Sequence, residues 1–219
     1  MIAPSVSMAQ NDSKDNYPPS GPRTVSGTEG EAEPMPSDLT RGTGQGGKRI
    51  PVDCGDLPFV IRRDGTWLYR GSPIGRKSMV CLFASVLKRD DEGHFLLETP
   101  AERGRIAVED APFVAVGLDW TGEGRDQVLH FRTNVDQIIT AGPAHGLRIS
   151  HNLLTCEPTP YLHVRDGLGM LSIEARINRS VYYELVALAE PGIKFGKQVL
   201  GVWSEGVFFS LGEMASCTD

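Results

Sequence analysis

Phe59-Val60-Ile61-Arg62 and Thr66-Trp67-Leu68-Tyr69-Arg70 stand on either side of Arg63-Asp64-Gly65. Two short apolar runs around an Asp-Gly pair give the strongest short-range signal for a β-hairpin. The signature returns 102 positions later as Arg165-Asp166-Gly167, again between apolar runs. The same offset, kept without a gap, sets Lys77-Ser78 on Arg179-Ser180 and Leu87 on Ala189. It also pairs Leu68 with Met170, Met79 with Val181, Val80 with Tyr182 and Val86 with Leu188. Self-similarity at a fixed spacing marks a repeat, so the chain reads as one unit used twice. Two such units pressed together leave a seam, a preferred place for ligands.

Outward from the hairpin, Gly71-Ser72-Pro73-Ile74-Gly75 leads into a helix expected from about Arg76 to Lys88. Its apolar residues Met79, Val80, Leu82, Phe83, Val86 and Leu87 recur at three and four positions, which predicts one buried face. Strands at His94 to Glu98 and Arg105 to Val108 complete a β-β-α-β-β unit. A strand-rich middle follows, with strands at Phe113 to Trp120 and Gln127 to Arg132 around the turn Thr121-Gly122-Glu123-Gly124. Short runs at Gln137 to Thr140 and Leu147 to Ile149 extend it. The second unit then runs through Tyr161 to Val164, Leu168 to Ile173, a helix from about Asn178 to Leu188, Val199 to Trp203 and Val207 to Leu211. The fold class is therefore α+β: two related β-β-α-β-β units joined by an antiparallel β-meander. The expected division is a disordered tail over 1–50, an N-terminal unit over 51–110, a β-rich C-terminal domain over 111–213 and a short tail over 214–219.

The tail is rich in Ser, Pro, Gly and acidic residues, and has too little apolar surface to offset the entropy of ordering. Within it, Gly42-Thr43-Gly44-Gln45-Gly46-Gly47-Lys48 has the spacing of a phosphate-binding loop. Such a loop needs a preceding strand, a following helix and a hydroxyl after the Lys. Here Arg49 follows Lys48 and Pro51 blocks a helix, so the match is a decoy.

A net charge of −6 argues against non-specific binding to a nucleic-acid polymer. Cys54, Cys81, Cys156 and Cys217 are widely spaced and suit a reducing compartment. No apolar run approaches the ~20 residues of a membrane span, and the start of the chain lacks the pattern of a secretory signal. A cytoplasmic location is the expectation.

The first helix should begin with acidic residues, because its N-terminus carries partial positive charge. The chain instead places Arg76 and Lys77 there, with Arg70 just ahead, and repeats the inversion with Arg176 and Arg179. Such cations suit a phosphate or carboxylate, held with backbone N–H groups at Gly71 and Gly75. They equally suit internal pairing with Asp90, Asp91, Glu109 or Glu174. Trp67 and Tyr69 alternate along one strand and share a face, ready to stack on a ring or to fill the core. Phe131-Arg132-Thr133-Asn134 ends a strand in a polar cluster that could bind a ligand or simply make a turn.

Catalysis finds little support. Ser72 lacks the spacing of a nucleophile elbow and reads as a cap or loop residue. Glu109-Asp110 could supply a base but first resembles a turn before Pro112. His94, His130, His145, His151 and His163 show no metal-ligand rhythm. No cofactor is named by any of these features.

Asp64-Gly65-Thr66-Trp67 through Gly71-Ser72-Pro73-Ile74-Gly75-Arg76 resembles the opening of a bacterial family, domain of unknown function 1285. Ile106 through Val116, Phe131 through Asp136, Pro160 through Leu168 and Gly201 through Gly212 fit the same family. The resemblance covers about Cys54 to Gly212. It implies a duplicated α+β core with a C-terminal part superficially like a pleckstrin-homology domain. It also implies a nucleotide-like ligand at the domain interface and a role in signal transduction, with no established activity. Arg179-Ser180-Val181-Tyr182-Tyr183 departs from the usual Arg-x-Val-Phe-Tyr at Tyr182.

The expectation is thus a ligand-binding protein, with an anionic or nucleotide-like small molecule between the units. Arg70, Ser72, Gly75 and Arg76 hold the anion, Trp67 and Tyr69 form a flat wall, and Arg132, Asn134, Tyr161 and Arg165 contribute from the second half. One alternative is a protein–protein interaction module with a dry seam. Another is a hydrolase or transferase using Glu109 or Asp110.

Overall fold

In the computed structural model, residues 50–151 and 157–214 are described. The tail up to residue 49, with its Gly42–Lys48 decoy, and Cys156 and Cys217 lie outside them.

The first half comprises β1 (Val52–Ile61), β2 (Trp67–Tyr69), β3 (Ser72–Pro73), α1 (Lys77–Ser85), β4 (Leu87–Arg89), β5 (Phe95–Glu98) and β6 (Glu102–Val108). Its strands form one sheet in the order β3-β2-β1-β6-β5-β4. The second half comprises β7 (Phe113–Thr121), β8 (Val128–Thr133), β9 (Ile138–Thr140), β10 (Leu147–His151), β11 (Pro158–Asp166), β12 (Ser172–Ile177), α2 (Arg179–Ala187), β13 (Glu190–Lys194), β14 (Lys197–Ser204) and β15 (Val207–Glu213). It forms a sheet ordered β10-β11-β12-β7-β8-β9 and a three-stranded sheet β13-β14-β15. The architecture is α+β. Each six-stranded sheet is antiparallel except at its centre, where β1 runs parallel to β6 and β12 parallel to β7. A parallel neighbour requires a long crossover, supplied in the first half by everything from β2 to β5.

The 102-residue offset holds at both ends of the helices, since α1 is Lys77–Ser85 and α2 is Arg179–Ala187. It fails in the strand before them. Leu68 is buried in β2, whereas Met170 is fully exposed in the loop before β12. The return strand of the second hairpin therefore begins at Ser172, not at Leu168. The helix faces differ too: Val181 is 1% exposed but Met79 is 41% and Leu82 63%. The first helix is shorter than its apolar pattern predicts, because Leu87 leaves it to pair with Leu97 in β4. Ser72 pairs with Tyr69 and does not cap α1; Arg76 occupies the cap position without a side-chain bond. Asn178 caps α2 by accepting from Val181 N–H at 2.9 Å.

Both Asp-Gly sites form hairpins. At the first, Gly65 N–H donates to Arg62 C=O at 2.9 Å, and Arg62 N–H donates to Thr66 C=O at 2.9 Å. Two-residue turns instead occur at Arg70-Gly71, Phe195-Gly196 and Glu205-Gly206, where both residues have positive φ. That geometry matches the twist of an antiparallel pair and favours Gly at the second position.

One contiguous apolar core runs through both halves, from Ile61, Trp67 and Leu87 to Phe113, Phe131, Leu162 and Val202. Polar contacts tie the halves around its rim. Arg89 Nη1 donates to Ser172 C=O at 2.7 Å, and Lys77 Nζ pairs with Asp136 at 2.6 Å.

Candidate functional site

The ten residues expected to bind ligand do not converge. Tyr69, Arg70, Ser72, Gly75 and Arg76 are exposed around the start of α1. Arg70 takes a positive φ of 49° to make the β2–β3 turn, and its guanidinium lies 5.3 Å from the centre of the Tyr69 ring. Trp67 lies beneath this surface, only 2% exposed, with its ring 6.4 Å from Phe83 and nearly parallel to it. Trp67 and Tyr69 do share a face, but Phe59 and Phe83 of the same face cover it. The wall expected of Trp67 is therefore interior packing, because α1 lies over that side of β2.

From the second half, Asn134 is a bridge. Its Oδ1 accepts from Val114 N–H at 3.0 Å and its Nδ2 donates to Gly65 C=O at 3.1 Å. Arg132 is exposed beside Gly117. Arg165 clips the far end of α1, donating from Nη2 to Ala84 C=O at 2.7 Å and Leu87 C=O at 3.0 Å. A helix of this length puts Arg165 roughly 13 Å along the axis from Arg76. Tyr161, 9% exposed, donates its hydroxyl to Asp110 Oδ1 at 2.7 Å.

Asp110 is the centre of the polar seam. It lies in the link between β6 and β7, and Arg63 of the first half approaches its Oδ2 at 3.2 Å. Arg176 of β12 approaches the same oxygen at 3.6 Å. Neither contact has hydrogen-bond geometry, so the buried Asp110 Oδ2 and Arg176 Nε lack hydrogen-bond partners. Arg148 lies 4.2 Å over the Tyr161 ring while its fork grips both oxygens of Glu174 at 2.6 Å. That bond holds the Arg148 guanidinium above its ordinary range. Burial, then the bond to Asp110, pushes the Tyr161 phenol up to about 12.

In front of Arg63 and Arg176 lies a cleft of about 300 Å³. Arg179, Tyr182, Tyr183 and Pro160 contribute to its walls, with Glu157 3.3 Å from Arg179. Burial raises the Tyr182 phenol above its usual range. The cations of the second helix start are thus internally paired, though with Asp110 and Glu157 instead of the acids expected. Sequence reasoning noticed Arg176 and Arg179 through the inverted charge pattern. It had no signal for Arg63, which only the hairpin brings to them.

Glu109 accepts from Arg63 N–H at 2.9 Å, so both candidate catalytic carboxylates have structural bonds. Among the described residues, Asp90, Glu92 and His94 bring ligand atoms within 4.8 Å of one another. They belong to a surface ion-pair cluster with Arg105.

Residues 48–111 match the N-terminal domain, and residues 112–211 the C-terminal domain, of a protein family of unknown function, DUF1285. The chain belongs to the DUF1285 family. A crystal structure of a DUF1285 family protein from Silicibacter pomeroyi DSS-3 is 45% identical, with a TM-score of 0.67 over 75% of this chain and 85% of that one. A second, from Shewanella baltica OS155, is 25% identical, with a TM-score of 0.46 over 60% of this chain and 91% of that one. No match was found among curated proteins. DUF1285 membership fixes the two-domain architecture and leaves function to the site. Among the described residues of this DUF1285 chain, no helix is long and apolar enough to cross a membrane.

Proposed function

We propose that the chain is a non-catalytic binding protein for a small anionic ligand, nucleotide-like in size and charge, held in the cleft between the two halves. One observation carries this reading: Arg63 from one half and Arg176 and Arg179 from the other line a single cleft. Three guanidinium groups there face two carboxylates, Asp110 and Glu157. Buried polar groups normally find partners, and Arg176 Nε is a buried donor without an acceptor among the described residues. Tyr182, Tyr183 and Pro160 offer flat surface for the body of the ligand. Arg70 and Arg76 are less suited to holding the anion in this cleft, because neither lines it.

The test is a thermal-shift screen of the full chain against nucleotides, phosphorylated metabolites and simple anions. A binder at 100 times its dissociation constant adds about 2.7 kcal/mol. Arg63→Ala and Arg179→Ala are expected to remove the shift, and Arg70→Ala and Arg76→Ala to leave it. A shift lost in the second pair alone would move the site to the start of α1. Silence from folded protein across the panel would overturn the reading.

A protein-interaction role has its own support. The β13–β14 turn exposes Ile193 at 77% and Phe195 at 95%, an apolar tip of the kind that partners cover. A signalling role would join the two readings, if ligand in the cleft altered partner binding at that tip.

A further inference from the structure

Arg165 differs from Arg148 and from the three arginines of the cleft. Arg63, Arg148, Arg176 and Arg179 each face a carboxylate. Arg165 is half-buried, and burial alone lowers its guanidinium from the ordinary range, with no acid nearby to counter it. One nitrogen, Nη2, serves the carbonyls of Ala84 in α1 and Leu87 at the start of β4. A helix C-terminus provides only partial negative charge, and Arg165 Nε and Nη1 have no hydrogen-bond partner among the described residues. The half-buried guanidinium also lies 5.5 Å over the Phe113 ring, which leaves its full charge without a carboxylate.

The guanidinium borders a second cavity of about 300 Å³, separate from the arginine cleft in every lining residue. Cys81 and Ser85 of α1 form one side, and Phe113, Val135 and Gln137 of the second half the other. No carboxylate lines it. Its chemistry is one full positive charge, one amide and an apolar wall, inside a space at the small end of ligand pockets.

We propose that this cavity binds a small organic monocarboxylate with a short apolar or aromatic body. A single guanidinium balances a single negative charge, whereas a doubly charged phosphate calls for several cations. Gln137 can donate to the carboxylate, and Val135 supplies apolar surface for the body, with the buried Phe113 ring beneath the guanidinium. The site does not depend on the ligand of the arginine cleft.

Cys81 provides the probe and Cys54, free and exposed, the internal reference. Iodoacetate and iodoacetamide both alkylate a thiolate with loss of iodide, but only the first carries a carboxylate. Both reagents react with the same thiolate, so thiolate content cancels and the ratio of the two rates reports carboxylate recognition. Peptide mass spectrometry on the full chain is expected to give an iodoacetate preference at Cys81 roughly tenfold that at Cys54. Benzoate is expected to protect Cys81 but not Cys54, and uncharged benzyl alcohol to protect neither. Arg165→Gln, if folded by circular dichroism, should bring the Cys81 ratio to that of Cys54. Should the variant not fold, the comparison of benzoate with benzyl alcohol on the unmodified protein decides alone. Equal ratios at the two cysteines, or benzoate without a protective effect, would overturn the proposal.

Discussion

Asn134 Nδ2 donates to the carbonyl of Gly65 at 3.1 Å, across the boundary between the two halves. A Cβ at Gly65 would lie 2.7 Å from that same nitrogen, and Gly65 holds φ at +85°. The first hairpin is therefore seated on the turn that follows β8, through a residue that has to be glycine. Gly65→Ala is expected to destabilise the fold by roughly 1–3 kcal/mol through backbone strain and lost seating. Asn134→Ala leaves the Val114 N–H and the Gly65 carbonyl without this partner, at about 1–3 kcal/mol. Urea denaturation measures both. Because the two changes remove one contact, the double variant should lose less than their sum.

The second Asp-Gly makes a stricter demand. A Cβ on Gly167 would run into the Leu171 carbonyl oxygen and lie 2.6 Å from that of Arg89. These are backbone atoms, which cannot swing away. Gly167→Ala should lower the urea midpoint clearly, by at least about 1 kcal/mol of stability. Gly146→Ala, where an added Cβ meets nothing within 4 Å, should be neutral or stabilise by about 0.4–1 kcal/mol.

Alkaline pH should unlock the seam at Tyr161. Its phenol is raised from 10.0 to about 12, so the neutral form is favoured in the folded state. The stability it contributes is complete below pH 10, the unfolded value, and is lost as pH rises through 12, the folded one. A phenolate absorbance titration should show Tyr161 and Tyr182 ionising above the ordinary range, and Tyr161→Phe should remove one of these two late steps.

Ser204 joins the three-stranded sheet to the larger one. Its hydroxyl is fully buried, accepts from Leu129 N–H at 2.9 Å and donates to Ala141 C=O at 2.6 Å. Ser204→Ala orphans both backbone groups, at about 1–3 kcal/mol by chemical denaturation. Ser210→Ala, on the neighbouring strand, has no such bonds to lose and should cost much less.

Local signals in the sequence settled what local physics controls. Asp64-Gly65 and Asp166-Gly167 specify hairpins through their turn chemistry, and the 102-residue offset relates the two helices residue for residue, although α1 ends at Ser85, before the expected Lys88. The family segments around Ile106–Val116 and Gly201–Gly212 identify the α+β class for the same reason: each segment carries its own strand or turn pattern. Periodicity could not tell which apolar face is covered. Met79 and Leu82 fit the helical stripe yet face outward, because burial depends on what packs against α1. Nor could spacing show that Arg63, Asp110 and Arg176 meet, or that Trp67 lies under α1 while Arg165 holds its other end. The ion pairs and the Arg165 clip join residues 47 to 81 positions apart, and only the crossover of β1 to β6 and the docking of the halves bring them within bonding range.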